Sequence, residues 1–249
     1  MTAAFFVQLR REMGAIFASP MAYIIFFFFT LIAGVVFYQN LQYLEYGTRY
    51  SVVQMFFLGV WFWMCLLIMI PLVTMRMFSE EYRSGTIEIL LTAPVSDWDV
   101  VVSKFLGALV FYLTLWAPTL VYLILFQWVT DGAMPVKWSS LLLCYSLVLL
   151  LGAFFIALGL FASSLTRNQP LAAFMSFASL LLFFFIGLLS FNMNDSKFSS
   201  MVEYIASYRH MQTFLDGIFD TRPLVFYLSA TLLFLALTQR VIAIKKLKA

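Results

Sequence analysis

The main cluster of ionisable residues in the chain lies between Arg76 and Phe105, and the sequence on either side of it is strongly apolar. This segment reads RMFSEEYRSGTIEILLTAPVSDWDVVVSKF and holds five of the twelve acidic residues of the chain. Carboxylates, arginines and serines in such a row can form the charge-assisted hydrogen bonds by which one protein holds another. The chemistry expected here is therefore recognition of a protein partner.

The first half of this segment has the signals of a short helix. Ser79 is predicted to cap its start, and Glu80 and Glu81 lie in its first turn, where negative charge is favourable against the helix dipole. Gly85 is predicted to end the helix, because glycine readily adopts the backbone conformation of a C-terminal cap.

The second half begins with Thr86, which can cap another short helix that ends before Pro94. Its apolar face would consist of Ile87, Leu90 and Leu91. Ser96, with Asp97 and Asp99, is predicted to cap the long helix of the third span. We expect two short helices near the membrane surface, charged on one side and apolar on the other; the alternative is a solvated loop with good caps.

The elements that position this segment follow from the composition. Of 249 residues, 63% are hydrophobic and only 11% are charged. This composition is too apolar for a soluble globular domain. Crossing a hydrocarbon core of about 30 Å takes roughly 20 apolar helical residues. The chain is therefore predicted to be an all-α, polytopic membrane protein with one domain over residues 1–249. Its six spans are predicted at about 21–40, 53–75, 104–128, 138–163, 169–191 and 223–243.

The connections between the spans indicate an orientation, because cytoplasmic flanks hold the excess of Lys and Arg. With the N-terminus inside, ten of these residues face the cytoplasm and five face outward. The inner set is Arg10, Arg11, Arg76, Arg83, Lys104, Arg167, Arg240, Lys245, Lys246 and Lys248, and the outer set is Arg49, Lys137, Lys197, Arg209 and Arg222. Both termini and the segment 76–103 are therefore expected in the cytoplasm.

Residues 1–20 are predicted to form an interfacial helix along the inner membrane surface, since apolar residues recur at helical spacing. The apolar residues are Phe5, Phe6, Leu9, Met13, Ile16 and Phe17, and the polar side holds Gln8, Arg10, Arg11 and Glu12. Ser19-Pro20 would turn the chain into the first span. The alternative is a frayed start without a role.

Several kinds of chemistry are missing from the predicted spans. No Asp, Glu, Lys, Arg or His lies well inside any of them, which argues against a proton relay or an intramembrane enzyme. Cys65 and Cys144 are expected to be packing residues, so neither a disulfide nor a metal site is predicted. The sequence also has no Gly-rich phosphate loop, so the chain is not predicted to be an enzyme and any driving energy must come from a partner.

Two other regions leave alternatives open. Small residues in the fourth span, Gly152, Ala153, Ala157 and Gly159, can pack either within the bundle or between subunits. The loop 192–222 is predicted to be extracytoplasmic and to hold short helices, because its apolar residues recur at helical spacing. His210, the only histidine, lies there, and a structural or merely exposed role is favoured over catalysis.

The acidic pair Glu80-Glu81, the run from Gly85 to Leu91 and then Pro94 resemble, in order and position, the cytoplasmic signature of ABC type-2 exporter permeases. Further motifs are similar to the gliding-motility GldF-like branch of this family, so that the resemblance covers nearly the whole chain. They are Ser19-Pro20, Leu44-Glu45-Tyr46-Gly47, Lys104-Phe105-Leu106-Gly107-Ala108-Leu109 and Asp220-Thr221-Arg222.

The resemblance implies a transmembrane subunit of the bacterial cytoplasmic (inner) membrane. It would work with a second permease copy or a paralogue and with two copies of a cytoplasmic ABC ATPase, which would bind ATP and Mg, leaving no cofactor in this chain. The implied ATPase-coupling residues are Glu80, Glu81, Tyr82, Arg83, Gly85, Thr86 and Glu88. Arg167 and Asn168, in the inner turn between spans four and five, would form a second cytoplasmic contact.

The GldF-like branch further implies a membrane-anchored GldG-like extracytoplasmic subunit. Beyond the protein partners, the chain is expected to contact the lipid bilayer and no nucleic acid. An ATP-driven permease that exports a substrate is the preferred interpretation. The alternative is a mechanotransmitting ABC subunit, which would drive an extracytoplasmic partner without moving cargo.

Overall fold

The structure is a computed structural model that describes residues 3–45, 51–86, 96–129, 138–189 and 202–246. These residues form ten helices of six residues or more, with no β-strand among them. The helices are α1 (Ala3–Phe17), α2 (Pro20–Glu45), α3 (Val52–Leu58), α4 (Val60–Thr74), α5 (Ser79–Ser84), α6 (Asp97–Val129), α7 (Trp138–Leu165), α8 (Gln169–Leu189), α9 (Ser207–Leu215) and α10 (Thr221–Lys246).

Six helical segments are long and apolar enough to cross a membrane, which confirms the prediction of an all-α polytopic protein with six spans. They are α2, the stretch from α4 through α5, and the helices α6, α7, α8 and α10. We call the end of the bundle that holds α1 and α5 the α5 end. The opposite end, which holds α3 and α9, is the α9 end.

The central helix of the bundle is α7. In its most apolar stretch 72% is buried, against 22% in α8, and it packs against α4, α6, α8, α9 and α10. A Cβ at Gly152 would collide with the Tyr112 ring, and one at Gly159 would collide with the side chain of Thr74. The sequence left open whether these small residues pack within the bundle or between subunits. Gly152 and Gly159 both pack within the bundle.

The second span is not the single helix predicted over residues 53–75, because it is broken at Gly59. Ser51 and Gln54 form a capping box that starts α3, and Gly59 then adopts an extended conformation that ends α3 and begins α4. A Cβ at Gly59 would lie 2.6 Å from the carbonyl oxygen of Met55, closer than real Cβ atoms come to such an atom. Hydropathy alone could not show this break, since the residues on both sides are apolar.

The first helix presents part of its polar side to the protein. It packs mainly against α6, with Phe5, Gln8 and Glu12 buried and Phe6 exposed. Gln8 and Glu12, which belong to the polar side of this helix, are therefore buried within the protein. The helix ends at Phe17 and the next begins at Pro20, as the Ser19-Pro20 signal predicted.

The α9 end is held by short helices that pack on the ends of the spans. The helix α9 lies within the stretch 192–222, and it packs on α7 and α3. Its His210 is buried, with Nδ1 3.1 Å from the hydroxyl of Tyr227, and that hydroxyl donates to Ser207 Oγ at 3.1 Å. His210 thus takes the structural one of its two predicted roles.

Candidate coupling site around α5

The start of α5 is fixed by a serine from another span. Ser163 Oγ, on α7, accepts hydrogen bonds from the backbone N–H groups of Phe78 (3.1 Å) and Ser79 (3.2 Å), and it donates to the carbonyl of Met75 at 3.1 Å. The N-cap position is Phe78, and the Ser79 hydroxyl turns back to the Met75 carbonyl. The prediction that Ser79 caps this helix is therefore wrong, because Ser163 already satisfies the free N–H groups.

The end of α5 agrees with the sequence. Gly85 has φ 74°, the left-handed conformation that favours glycine, and it terminates the helix as predicted. Ser84 donates to the Glu80 carbonyl at 2.8 Å, and its hydroxyl lies 2.9 Å from that of the exposed Thr86. The predicted second helix, with Glu88, Ile87, Leu90 and Leu91, lies outside the described residues.

A buried lysine joins three elements beneath α5. The Nζ of Lys104, on α6, lies 2.9 Å from Glu12 Oε2 of α1 and 2.8 Å from Glu81 Oε1 of α5. The three side chains are 2%, 7% and 12% exposed, whereas Arg11, which lies 3.3 Å from Glu81, is 55% exposed. We call Glu12, Glu81 and Lys104 the ionic triad. Such charges tolerate burial because each carboxylate meets the ammonium directly.

A second connection links α5 to the end of the last span. Lys245 Nζ lies 3.9 Å from the ring centroid of the buried Tyr82 and donates to the carbonyl of Ser164 at 2.7 Å. Next to it, Lys246 pairs with Asp97 at 3.2 Å across a more exposed gap. The short helix α5 is thus joined to α1, α6, α7 and α10.

Comparison with known families decides what kind of protein carries this site. A family model described as ABC-2 family transporter protein matches residues 9–248. The chain belongs to the ABC-2 transporter family. A search of the curated proteins found no match.

As an ABC-2 family member, the chain is the multi-pass permease subunit of an ABC transporter and not its ATPase. This confirms the resemblance that the sequence motifs indicated at the level of the family. Members of this family typically pair with an ATPase subunit and form dimers.

The predicted coupling residues that the structure describes differ in exposure along α5 and the two residues after it. Glu80, Arg83, Gly85 and Thr86 are exposed. Glu81 belongs to the ionic triad, and Tyr82 is buried against Lys245. The two inward residues contact neighbouring helices, and the four outward ones are exposed at the α5 end.

The turn between spans four and five lies beside this surface. Arg167 and Asn168 are exposed there, and α5 packs against both α7 and α8, which this turn connects. The structure thus brings together the two sets of residues that the sequence predicted as partner contacts. Within the described residues, no group of three or more metal-ligating side chains is present.

Lys104 is the residue that sequence reasoning missed. Its position at the start of the predicted third span indicates a cytoplasmic flanking residue. The available signal is its position seven residues after Asp97, two turns into a helix whose neighbouring Val101, Phe105 and Ala108 are apolar. A cation at such a position needs a buried partner.

Proposed function

We propose that this permease docks a separate cytoplasmic ABC ATPase through the exposed face of α5 and the segment that follows it, and that ATP hydrolysis in the partner drives export of a substrate. The proposal assigns the α5 end, with both termini, to the cytoplasm of a bacterial inner membrane. In the proposal the ATPase contacts Glu80, Arg83, Gly85, Thr86 and Glu88, as the sequence resemblance implied.

The observation that supports docking at α5 is the contrast between its two faces. The inner face is tied to four other helices by ion pairs, a cation–π contact and the Ser163 hydrogen bonds. The outer face carries Glu80, Arg83 and Thr86 and is exposed. A partner that pushes on the outer face would therefore move α1, α6, α7 and α10 together.

In this proposal Glu81 and Tyr82 are positioning residues. Glu81 transmits displacement of α5 to Lys104 and hence to the third span, while Tyr82 transmits it to the last span through Lys245. Arg167 and Asn168 form a second, smaller contact beside α5, since both are exposed at the neighbouring turn.

The proposed assembly contains two permease subunits, either two copies or this chain and a paralogue, and two ATPase subunits that bind ATP and Mg. The whole chain acts as one transmembrane domain and binds no cofactor of its own. Its motifs favour the GldF-like branch, in which a membrane-anchored GldG-like subunit would approach the α9 end.

The proposal can be tested by purification of the permease from its native membrane and measurement of Mg-ATP hydrolysis. Thr86→Arg places a bulky cation on the proposed docking face. Thr221→Arg makes the same change at an exposed position at the α9 end and serves as the matched control. We expect wild type and Thr221→Arg to retain an ATPase at one copy per permease, and Thr86→Arg to lose both the subunit and the activity.

Retention of an active ATPase by Thr86→Arg would show that the docking face lies elsewhere. Loss with both variants would indicate a general folding defect, which thermal unfolding of the purified proteins would reveal. Failure of any ATPase to co-purify with wild type, in membranes where one is encoded and expressed, would contradict the docking proposal itself.

A further inference from the structure

A cavity of about 350 Å³ lies at the α5 end between α1, α2, α4, α5 and α6. Its rim is charged and its floor is apolar. Three cations and three carboxylates line it, namely Arg11, Arg76, Lys104, Glu12, Glu80 and Glu81. These charges sum to zero, so the cavity favours a neutral or zwitterionic occupant over an ion of either sign.

Two groups on this rim have bonding capacity that the protein leaves unused. Glu81 accepts from Lys104 and Arg11 through Oε1, while its Oε2 is buried and has no hydrogen-bond partner among the described residues. Arg76 is exposed and donates to Ser19 Oγ at 3.4 Å, and no carboxylate of the described residues lies within ion-pair distance of it. Both residues line the cavity, Arg76 with an exposed guanidinium and Glu81 with a carboxylate whose second oxygen is buried at the cavity wall.

The floor extends into the membrane-spanning part of the bundle. It is formed by residues such as Ala22 and Ile25 of α2, Leu72 of α4 and Phe111 of α6. Phe111 lies seven residues beyond Lys104 on the same helix, which corresponds to about 10 Å of additional depth. The cavity thus changes from charged to apolar over the depth at which a lipid changes from headgroup to acyl chain.

We infer that this cavity binds a phospholipid with an ammonium headgroup, such as phosphatidylethanolamine, from the leaflet at the α5 end. The lipid phosphate accepts hydrogen bonds from the Arg76 guanidinium, and the ammonium donates to Glu81 Oε2. The glycerol and first methylenes contact Ile25 and Leu72. The volume suits a headgroup with these first carbons, so the acyl chains extend into the bilayer.

This chemistry distinguishes the proposed ligand from other lipids. Phosphatidylglycerol carries the phosphate without the ammonium, so it would leave Glu81 Oε2 unpaired and add a net negative charge beside three carboxylates. Glycerophosphoethanolamine carries the whole headgroup without acyl chains. Its binding therefore shows how much of the affinity comes from the headgroup alone, without the apolar floor and the bilayer.

The inference does not depend on ATPase docking and is tested on the isolated permease. Native mass spectrometry of the full chain, released from detergent, would count retained phosphatidylethanolamine and phosphatidylglycerol of equal chain length. We expect one phosphatidylethanolamine per chain, retained at least tenfold more than phosphatidylglycerol and than glycerophosphoethanolamine.

Two variants probe the two halves of the cavity. Arg76→Gln removes the phosphate donor, and Ala22→Phe fills the floor; each should lower lipid retention at least tenfold. Their controls make the same changes outside the cavity, Arg240→Gln at an exposed position of α10 and Ala117→Phe on the exposed side of α6, and should retain lipid as wild type does.

Wild-type retention by both Arg76→Gln and Ala22→Phe would overturn the site. Equal retention of phosphatidylethanolamine and phosphatidylglycerol would overturn the role of the ammonium, and equal binding of the chain-free headgroup would overturn the assignment to a lipid. Thermal unfolding of Ala22→Phe shows whether the larger side chain has disturbed the packing of the protein. Arg76 is exposed, so its variant remains informative even if the floor variant fails to fold.

Discussion

The two ends of the bundle use different chemistry to hold a short helix against the spans. At the α5 end the ionic triad holds α5, with an ammonium buried between two carboxylates. At the α9 end neutral hydrogen bonds join His210, Tyr227 and Ser207, and the ion pair of Arg209 with Glu203 is solvent-exposed. A buried ion pair is sensitive to any change of charge or geometry, whereas a neutral network responds less to either. The α5 end should therefore be more sensitive than the α9 end to the loss of one side chain of its network.

The largest expected effect comes from removing the cation of the ionic triad. Lys104→Met preserves much of the side-chain volume and leaves Glu12 and Glu81 buried with only the exposed Arg11 as a counter-charge, which should destabilise the protein by about 3–5 kcal/mol. Thermal unfolding of the detergent-solubilised protein measures this loss. The triple variant Lys104→Met, Glu12→Gln, Glu81→Gln removes all three charges and should recover most of it. A Lys104→Met protein as stable as wild type would contradict the burial of an intact triad.

The neutral network at the α9 end has one member that can gain a charge, His210, so this end should respond to acid. Burial lowers the pKa of His210 to about 4, against a smaller opposing effect of the Asp220 carboxylate. Because the unfolded chain binds the proton at about pH 6.5, the unfolded state is favoured increasingly as the pH falls from 6.5 towards 4. The loss should be on the order of 2 kcal/mol over this window and should be absent above it.

The pH dependence is measured by thermal unfolding from pH 7.5 to 4.5. His210→Gln serves as the control, because it lacks the titrating group while the carboxylates that also titrate are unchanged. We expect the stability of wild type to fall more steeply than that of the variant. Parallel curves would show that His210 is not held neutral by the fold.

A smaller effect is expected from the neutral network itself. Tyr227→Phe removes the hydroxyl that contacts both His210 and Ser207 and leaves the ring in place. The loss should be about 1–2 kcal/mol, since two buried polar groups lose a partner but no charge is left unpaired. Thermal unfolding at pH 7.5 measures it, and a loss larger than that of Lys104→Met would reverse the proposed contrast.

The smallest effect is predicted for a cation outside the ionic triad. Lys246→Met breaks the ion pair with Asp97, whose partners are 43% and 21% exposed, and should change stability by less than about 1 kcal/mol. The substitution is identical to the one at Lys104, so the two variants compared by the same unfolding assay isolate the effect of burial. Similar losses would show that charge alone, and not its burial, matters at the α5 end.

Local signals in the sequence predicted much of this arrangement. Hydropathy predicted the six spans, and the capping box of Ser96 and Asp99 at the start of α6 is present, with hydrogen bonds of 3.1 and 3.3 Å. Gly85 ends α5 as expected, since its effect acts within a few residues. These features depend on neighbours along the chain, and the sequence shows such neighbours directly.

The features that the sequence did not predict depend on distant residues. Lys104 meets Glu12 across 92 positions, and Ser163 reaches the start of α5 across 84 or more, so neither partner could be chosen from spacing. Gln8 and Glu12 are buried because Gln8 donates to Glu12 and Glu12 pairs with Lys104. Amphipathic spacing alone does not show that a polar residue has a buried partner. The charge balance of the cavity likewise emerges only when five helices meet.

The break at Gly59 affects how the protein fits the thickness of a bilayer. The helix α4 has 15 residues and is therefore about 22 Å long, whereas a hydrocarbon core is about 30 Å thick. The helix α4 alone falls short of this thickness by about 8 Å, or roughly one and a half turns, and the seven residues of α3 continue the apolar run on the other side of the break. The helix is interrupted at Gly59, so its two parts are not held by one continuous ladder of hydrogen bonds. A change of membrane thickness would therefore change the geometry at the junction of α3 and α4 before it changed the continuous spans.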